Sequence, residues 1–235
     1  FSRRMLTKKM NEMIETYNYE RHRLSGLPKQ EIKSKVIKDK SKINWTDDII
    51  SDLSKNLEYE FSSDYIRPSN YRPFTKTNWY SDGKLNWSRH LMPKFFPDKN
   101  TSNRVIMVSG VGARSGVSVL MVDTIPEMQT IDNGQSLPLF MYEQNKGELF
   151  NHGSEFHQTS GLNINITKKL TEKYGKEVRA DEVFYFVYAV LHAPDYLSRF
   201  SANLFTELPR IPEMATHQKF KELSQLGKNL GNLHC

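Results

Sequence analysis

Residues Arg104–Met128 read RVIMVSGVGARSGVSVLMVDTIPEM, and they decide what kind of fold this is. Two apolar, β-branched runs, 104–109 and 117–122, flank a turn whose Gly110, Gly112 and Gly116 free the backbone. The spacing Gly110-x-Gly112-x-x-x-Gly116 departs from the G-x-G-x-x-G of a dinucleotide site. The segment after it alternates like a strand, so no helix N-terminus follows to receive a phosphate. The stretch therefore reads as a β-hairpin with Arg114 and Ser115 at its tip. Arg pairs bidentately with guanine and Ser bonds either base type, so such a tip suits a DNA groove. It suits an ordinary solvated turn equally well.

Downstream, LPLFMY at 137–142 forms a third strand-like run, and the polar, Gly-containing residues 144–163 are expected as an exposed loop. The last third is helical. Residues 167–174 end at Gly175, a favourable C-cap. Residues 181–191 carry Val183, Phe184, Phe186, Val187, Val190 and Leu191 around most of the circumference, which marks a buried helix. Pro194-Asp195 opens another helix with Leu197, Phe200, Leu204 and Leu208 on one side, stopped by Pro209 and Pro212. A final helix presents Phe220, Leu223, Leu226 and Leu230.

Upstream, residues 64–97 interleave aromatics and basic residues with Pro68, Pro73, Pro93 and Pro97, which predicts irregular backbone with short strands. Leu6, Met10, Met13, Ile14 and Tyr17 predict an amphipathic helix over residues 2–24. The Lys- and Glu-rich residues 29–42 are expected as a solvated helix or a mobile spacer. Thr46-Asp47-Asp48 offers an N-cap before Ile49, Ile50 and Leu53. The expected class is α+β: a small central, mostly antiparallel sheet, an irregular Pro- and aromatic-rich segment, C-terminal helices and an N-terminal helical appendage. The expected division is an appendage over 1–44 and a main domain over 45–235. Starting at Phe1 and stopping at Cys235, the chain reads as an excised piece.

Composition excludes several classes. No apolar run approaches the roughly 18 residues of a membrane span. The single cysteine, Cys235, allows neither an internal disulfide nor a Cys-based zinc site, and fits a cytoplasmic protein. Residues 1–44 hold 12 Lys and Arg against 5 Asp and Glu, whereas the remaining 191 residues hold 21 against 22. The overall net charge of +6 therefore comes from the N-terminal segment and does not by itself mark the main body as a nucleic-acid binder.

Catalytic signals are lacking. The histidines His22, His90, His152, His157, His192, His217 and His234 show no H-x-H or H-E-x-x-H spacing. His152 and His157 share a polar loop with Glu155, without a third ligand in register. Neither Pro-Asp pair, at 97–98 or 194–195, precedes the Glu-x-Lys strand of a metal-dependent nuclease. No Asn-Pro-Pro-aromatic motif is present to grip a flipped adenine. The basic residues among the aromatics of 67–89, with the hairpin tip, are the DNA-contact candidates: Arg67, Arg72, Lys76, Lys84, Arg89, Arg114 and Ser115.

Three stretches carry a resemblance: YRPF (71–74), the strand pair at 104–128 leading to LPLFMY, and FYFVYAVLHAPDYLSRFSANLFTELPRIP (184–212). Their order and spacing resemble the C-terminal target-recognition region of the type ISP restriction-modification enzymes, over residues 45–233. Residues 1–25 resemble the helix that leaves the methyltransferase domain in that family. The resemblance implies a piece that reads an asymmetric site in double-stranded DNA for a nuclease, a helicase-like motor and an adenine-N6 methyltransferase elsewhere in one polypeptide. The cofactors of such a parent, S-adenosylmethionine, ATP and Mg²⁺, would bind outside this chain, which carries no catalysis of its own. The implied partners are DNA and the upstream methyltransferase domain, with no membrane and a monomeric state. Because Arg72 falls inside a shared motif, it is assigned to phosphate positioning or structure. Two other readings remain: a coupling module without DNA contact, docking through 181–230, and a self-sufficient nucleic-acid enzyme.

Overall fold

The structure, a computed structural model, describes residues 2–86, 89–114, 116–145 and 155–235. It forms two compact units, Phe1–Pro68 with Thr77–Arg89, and Ser69–Lys76 with His90–Cys235.

The first unit is built on helices α1 (Arg3–Arg23), α2 (Lys29–Lys35) and α3 (Asp47–Ser54). Ser2 caps α1 by accepting from the Met5 N–H, and Thr46 caps α3 by accepting from that of Ile49. Their apolar faces meet in one cluster that includes Ile14, Tyr17, Ile50 and Tyr59. The rings of Tyr17 and Tyr59 stack at 3.9 Å, and their hydroxyls donate to the Leu57 carbonyl and the Asp52 carboxylate. Burial first, and the charge of Asp52 after it, hold both phenols above the usual tyrosine range. Within residues 29–42, expected as a solvated helix or a mobile spacer, α2 is a helix exposed except at Ile32, and Ile32 and Val36, one helical turn apart, bury in this core with Ile43. Ile43 and Ile49, on either side of Asn44, belong to the same cluster.

Strands β1 (Ile66–Arg72) and β2 (Thr75–Tyr80) are hydrogen-bonded neighbours whose connecting residues 69–76 belong to the second unit. That unit continues with a short helix α4 (Met92–Phe95) and strands β3 (Val105–Val108), β4 (Val119–Val122), β5 (Ile125–Pro126), β6 (Gln135–Pro138), β7 (Phe140–Gln144) and β8 (Phe156–Ser160). The expected hairpin is present, with β3 and β4 antiparallel and Val105 opposite Val122. The class is α+β as expected, although the strands divide among three small sheets, ordered β2-β1-β5, β4-β3-β6 and β7-β8.

Residues 137–142 are two strands, not one. Pro138 has no N–H to continue the ladder, and Leu139 turns inward, donating to the Arg104 carbonyl at 2.8 Å. Buried Asn103 then holds Phe140 at both its N–H and its carbonyl, so β6 pairs with β3 while β7 pairs with β8. Strand β8 lies in the span expected as a loop, because its polar residues carry no alternation to announce it.

Helices α5 (Ile164–Tyr174), α6 (Ala180–His192), α7 (Pro194–Thr206) and α8 (His217–His234) complete the unit. Gly175 ends α5 at φ 62°, the left-handed cap that glycine adopts without strain. Helix α6 is buried through Val183, Phe184, Tyr185, Phe186, Tyr188, Val190 and Leu191. Helix α8 uses most of the expected face: Phe220 is buried and Leu223 and Leu230 pack against the core, whereas Leu226 is exposed and Ser224, Gly227 and Gly231 complete the buried line. A Cβ on Gly227 would collide with the Tyr185 carbonyl, so the absence of a side chain is what lets α8 pack this closely on α6.

Candidate nucleic-acid interface

The second unit carries an open groove of about 830 Å³ whose walls are the β1–β2 turn, the β3–β4 turn and the β5–β6 turn. Its position follows from one long-range pairing. Strand β5 runs parallel to β1, with Ser69 opposite Ile125, and the Ser69 hydroxyl donates to the Ile125 carbonyl at 2.9 Å. Thr124 donates to the Asn70 side chain in a short hydrogen bond. Thr130, only 1% exposed, donates to the Asn70 carbonyl at 2.5 Å and accepts from the Glu127 N–H at 3.1 Å. The β5–β6 turn is thereby tied to β1 through buried polar groups that satisfy one another.

The same turn is closed internally. Gly134 N–H donates to the carbonyls of Met128 and Ile131, each at 3.1 Å, and Gly110 N–H donates to the Asp132 carbonyl at 3.0 Å. The Asp132 carboxylate accepts from the Arg114 N–H at 2.9 Å and so orients the tip of the β3–β4 turn. Asn133 sits at φ 47°, a left-handed conformation that Asn tolerates better than most residues. Among the groove-lining residues, Gln129 and Asn133 are exposed, and no side-chain hydrogen bond ties their amides within the described residues.

Two guanidiniums face this groove. Arg72 donates from Nη1 to the carbonyls of Tyr71, at 2.8 Å, and Gln129, at 3.2 Å, and lies 4.2 Å from the centre of the Tyr71 ring. No carboxylate within the described residues neutralises it. Arg114 is exposed, and its guanidinium likewise has no carboxylate partner there. Phe74 also lines the groove, 67% exposed, at φ 57°. A bulky side chain in the left-handed region is strained by about 1–3 kcal/mol. Its ring meets His234 edge-on, with centroids 5.5 Å apart. Burial first and the nearby His192 second lower the His234 pKa below the usual imidazole value.

The remaining sequence-nominated residues are placed differently. Lys76 belongs to the second unit, where its ammonium pairs with Asp123 at 2.8 Å and donates to the Cys235 carbonyl. Arg67, Lys84 and Arg89 belong to the first unit. Arg67 is 8% exposed, which keeps it out of reach of a bulky anion. Lys84 donates to the Glu58 carbonyl at 3.2 Å, and half-buried Arg89 to that of Ser81 at 3.0 Å. Ser115, Trp87 and His152 lie outside the described residues. The structure thus brings Arg72 and Arg114 to one groove and leaves the other described candidates elsewhere. Sequence reasoning missed Gln129 and Asn133, although Asn133-Gly134 is a turn dipeptide that could have flagged them.

Among the described residues no three His, Cys, Asp or Glu side chains gather as a metal site, and no helix is long and apolar enough to cross a membrane.

No curated protein matches the chain. Solved structures do. The DrdV–DNA complex is similar with a TM-score of 0.83 and 27% identity, over 99% of this chain and 21% of that one. A nuclease-deletion mutant of the Type ISP restriction-modification enzyme LlaGI, solved with a DNA substrate mimic, gives 0.80 and 28%, over 100% of this chain and 20% of that one. The ATP-dependent Type ISP enzyme LlaBIII bound to DNA shares the fold, at 0.76 and 24%, over 96% of this chain and 14% of that one. The chain thus spans about a fifth or less of the length of these relatives. The model of the Type ISP C-terminal specificity domain matches residues 1–235 from end to end. By sequence and by fold, this chain belongs to the Type ISP C-terminal specificity domains.

Proposed function

We propose that the chain reads a sequence in double-stranded DNA on behalf of a restriction-modification enzyme, and that the groove of the second unit is its reading surface. The observation that carries this is the pair Arg72 and Arg114, two guanidiniums on the walls of one open groove that have no carboxylate partner among the described residues. Arg72, held by carbonyls and stacked on Tyr71, serves phosphate positioning. Arg114, at the end of a turn fixed by Asp132, reaches a phosphate or a guanine edge. Phosphate contacts supply affinity with a steep salt dependence, and the turns supply sequence.

On this reading the chain is the recognition half of a clamp, monomeric and cytoplasmic. An adjoining methyltransferase domain flips an adenine out of the duplex held here, and ATP-dependent restriction belongs to further domains. S-adenosylmethionine, ATP and Mg²⁺ are held by those domains, and no residue of this chain is assigned to them.

The test is retention of a random pool of duplex DNA by the chain, titrated with salt. A log–log salt slope with an enriched sequence supports the reading. No retention even at low salt overturns it and favours a coupling role without DNA contact.

A further inference from the structure

We infer that Gln129 and Asn133 are the adenine-reading side chains of this groove. The inference rests on the DNA reading above and gives it a chemical address. A carboxamide offers one donor and one acceptor side by side, the complement of N6 and N7 of adenine in the major groove. Both amides are exposed on the groove and spend neither group on a neighbour within the described residues.

Their backbone is fixed from both sides. The buried anchors Thr130 and Ile131 lie between them, and the Gln129 carbonyl is gripped by Arg72. Asp132 fastens the turn to Gly110 and to Arg114. Such a fixed turn loses little backbone freedom on binding, so only the side-chain rotamers remain to be ordered by a base-reading contact. The half-exposed Asp132 carboxylate places negative charge in the groove, so a base edge, not the phosphate backbone, is the part of DNA that this wall accommodates.

The test compares the wild-type chain with Gln129→Ala and Asn133→Gly in selection from a random duplex pool. Glycine is chosen at 133 because it keeps the left-handed backbone while deleting the amide. The expected wild-type motif contains an A·T pair. Each variant should keep its affinity for unselected duplex within about twofold, and its salt slope, while losing a roughly 5- to 150-fold preference at one adenine position, the worth of one bidentate pair. Variants that enrich the same motif with undiminished preference overturn the inference and leave the DNA reading standing. Variants that lose affinity for every duplex in parallel also overturn it, since that is the signature of a phosphate contact. A wild-type chain that retains no duplex overturns the DNA reading itself, and the inference with it.

Discussion

The basic N-terminal segment and the groove of the second unit differ in how they place positive charge. In the first 44 residues, which carry the chain's whole excess of charge, Arg21 pairs with Glu58, Arg23 with Glu20, Lys33 with Asp47 and Lys35 with Glu31, while cations such as Arg4, Lys9, Lys38 and Lys40 are exposed and have no carboxylate partner among the described residues. Of these pairs only Lys33–Asp47 joins two helices, α2 and α3; Arg23–Glu20 and Lys35–Glu31 each lie within one helix. The second unit has little net charge to offer, yet Arg72 and Arg114 line one groove, and among the described residues neither guanidinium pairs with a carboxylate. An interface for phosphates depends on which cations the fold gathers on one concave surface, and a count of lysines and arginines does not reveal it.

The largest effect should come from attacking the groove. Arg72→Ala with Arg114→Ala should weaken binding to random duplex by at least about tenfold at low salt and make the log–log salt slope shallower by about 2. Fluorescence anisotropy across a salt series measures both, and Lys33→Ala with Lys35→Ala serves as the contrast, with binding unchanged within about twofold. Equal losses from both pairs would erase the distinction between the two regions. Next in size is Thr130→Val. It strips the Asn70 carbonyl and the Glu127 N–H of a buried partner and should cost about 1–3 kcal/mol in denaturant unfolding. It should also blunt sequence enrichment, because the turn loses its tie to β1.

A smaller effect is expected from acid at the groove's edge. His234 has a lowered pKa in the folded chain, so the unfolded chain binds its proton first as pH falls. Its contribution is therefore complete above the ordinary histidine value of about 6.5 and is lost as pH drops through the lower folded value. A thermal melting series over that window should lose part of its slope in His234→Gln. The smallest effect belongs to the first unit. Breaking the exposed Lys33–Asp47 pair with Lys33→Ala should cost less than about 1 kcal/mol.

Much of the fold was legible because its signals are local. Alternation and glycines announced the β3–β4 hairpin, and unbroken apolarity announced α6. What stayed hidden depended on pairings far apart in sequence. The β1–β5 ladder joins residues 56 apart at Ser69 and Ile125, and only that ladder turns residues 127–134 from a polar turn into a groove wall. Without it Gln129 and Asn133 look like any solvated turn. Arg67 was nominated for its charge, but it lies beside Ile66 in a strand stretch buried on both sides. The apolar residues of α8 announced Phe220, Leu223 and Leu230 on the packed side, whereas Leu226 is exposed and Gly227, which no apolar pattern marks, makes the close approach to α6.

The most direct measurement is hydrogen–deuterium exchange of the chain with and without duplex DNA at low salt. The account predicts slowed exchange in residues 110–134, which hold two of the three turns that line the groove, with the α1–α2 region unchanged. Protection confined to residues 1–44 would contradict it and return the interface to the basic segment.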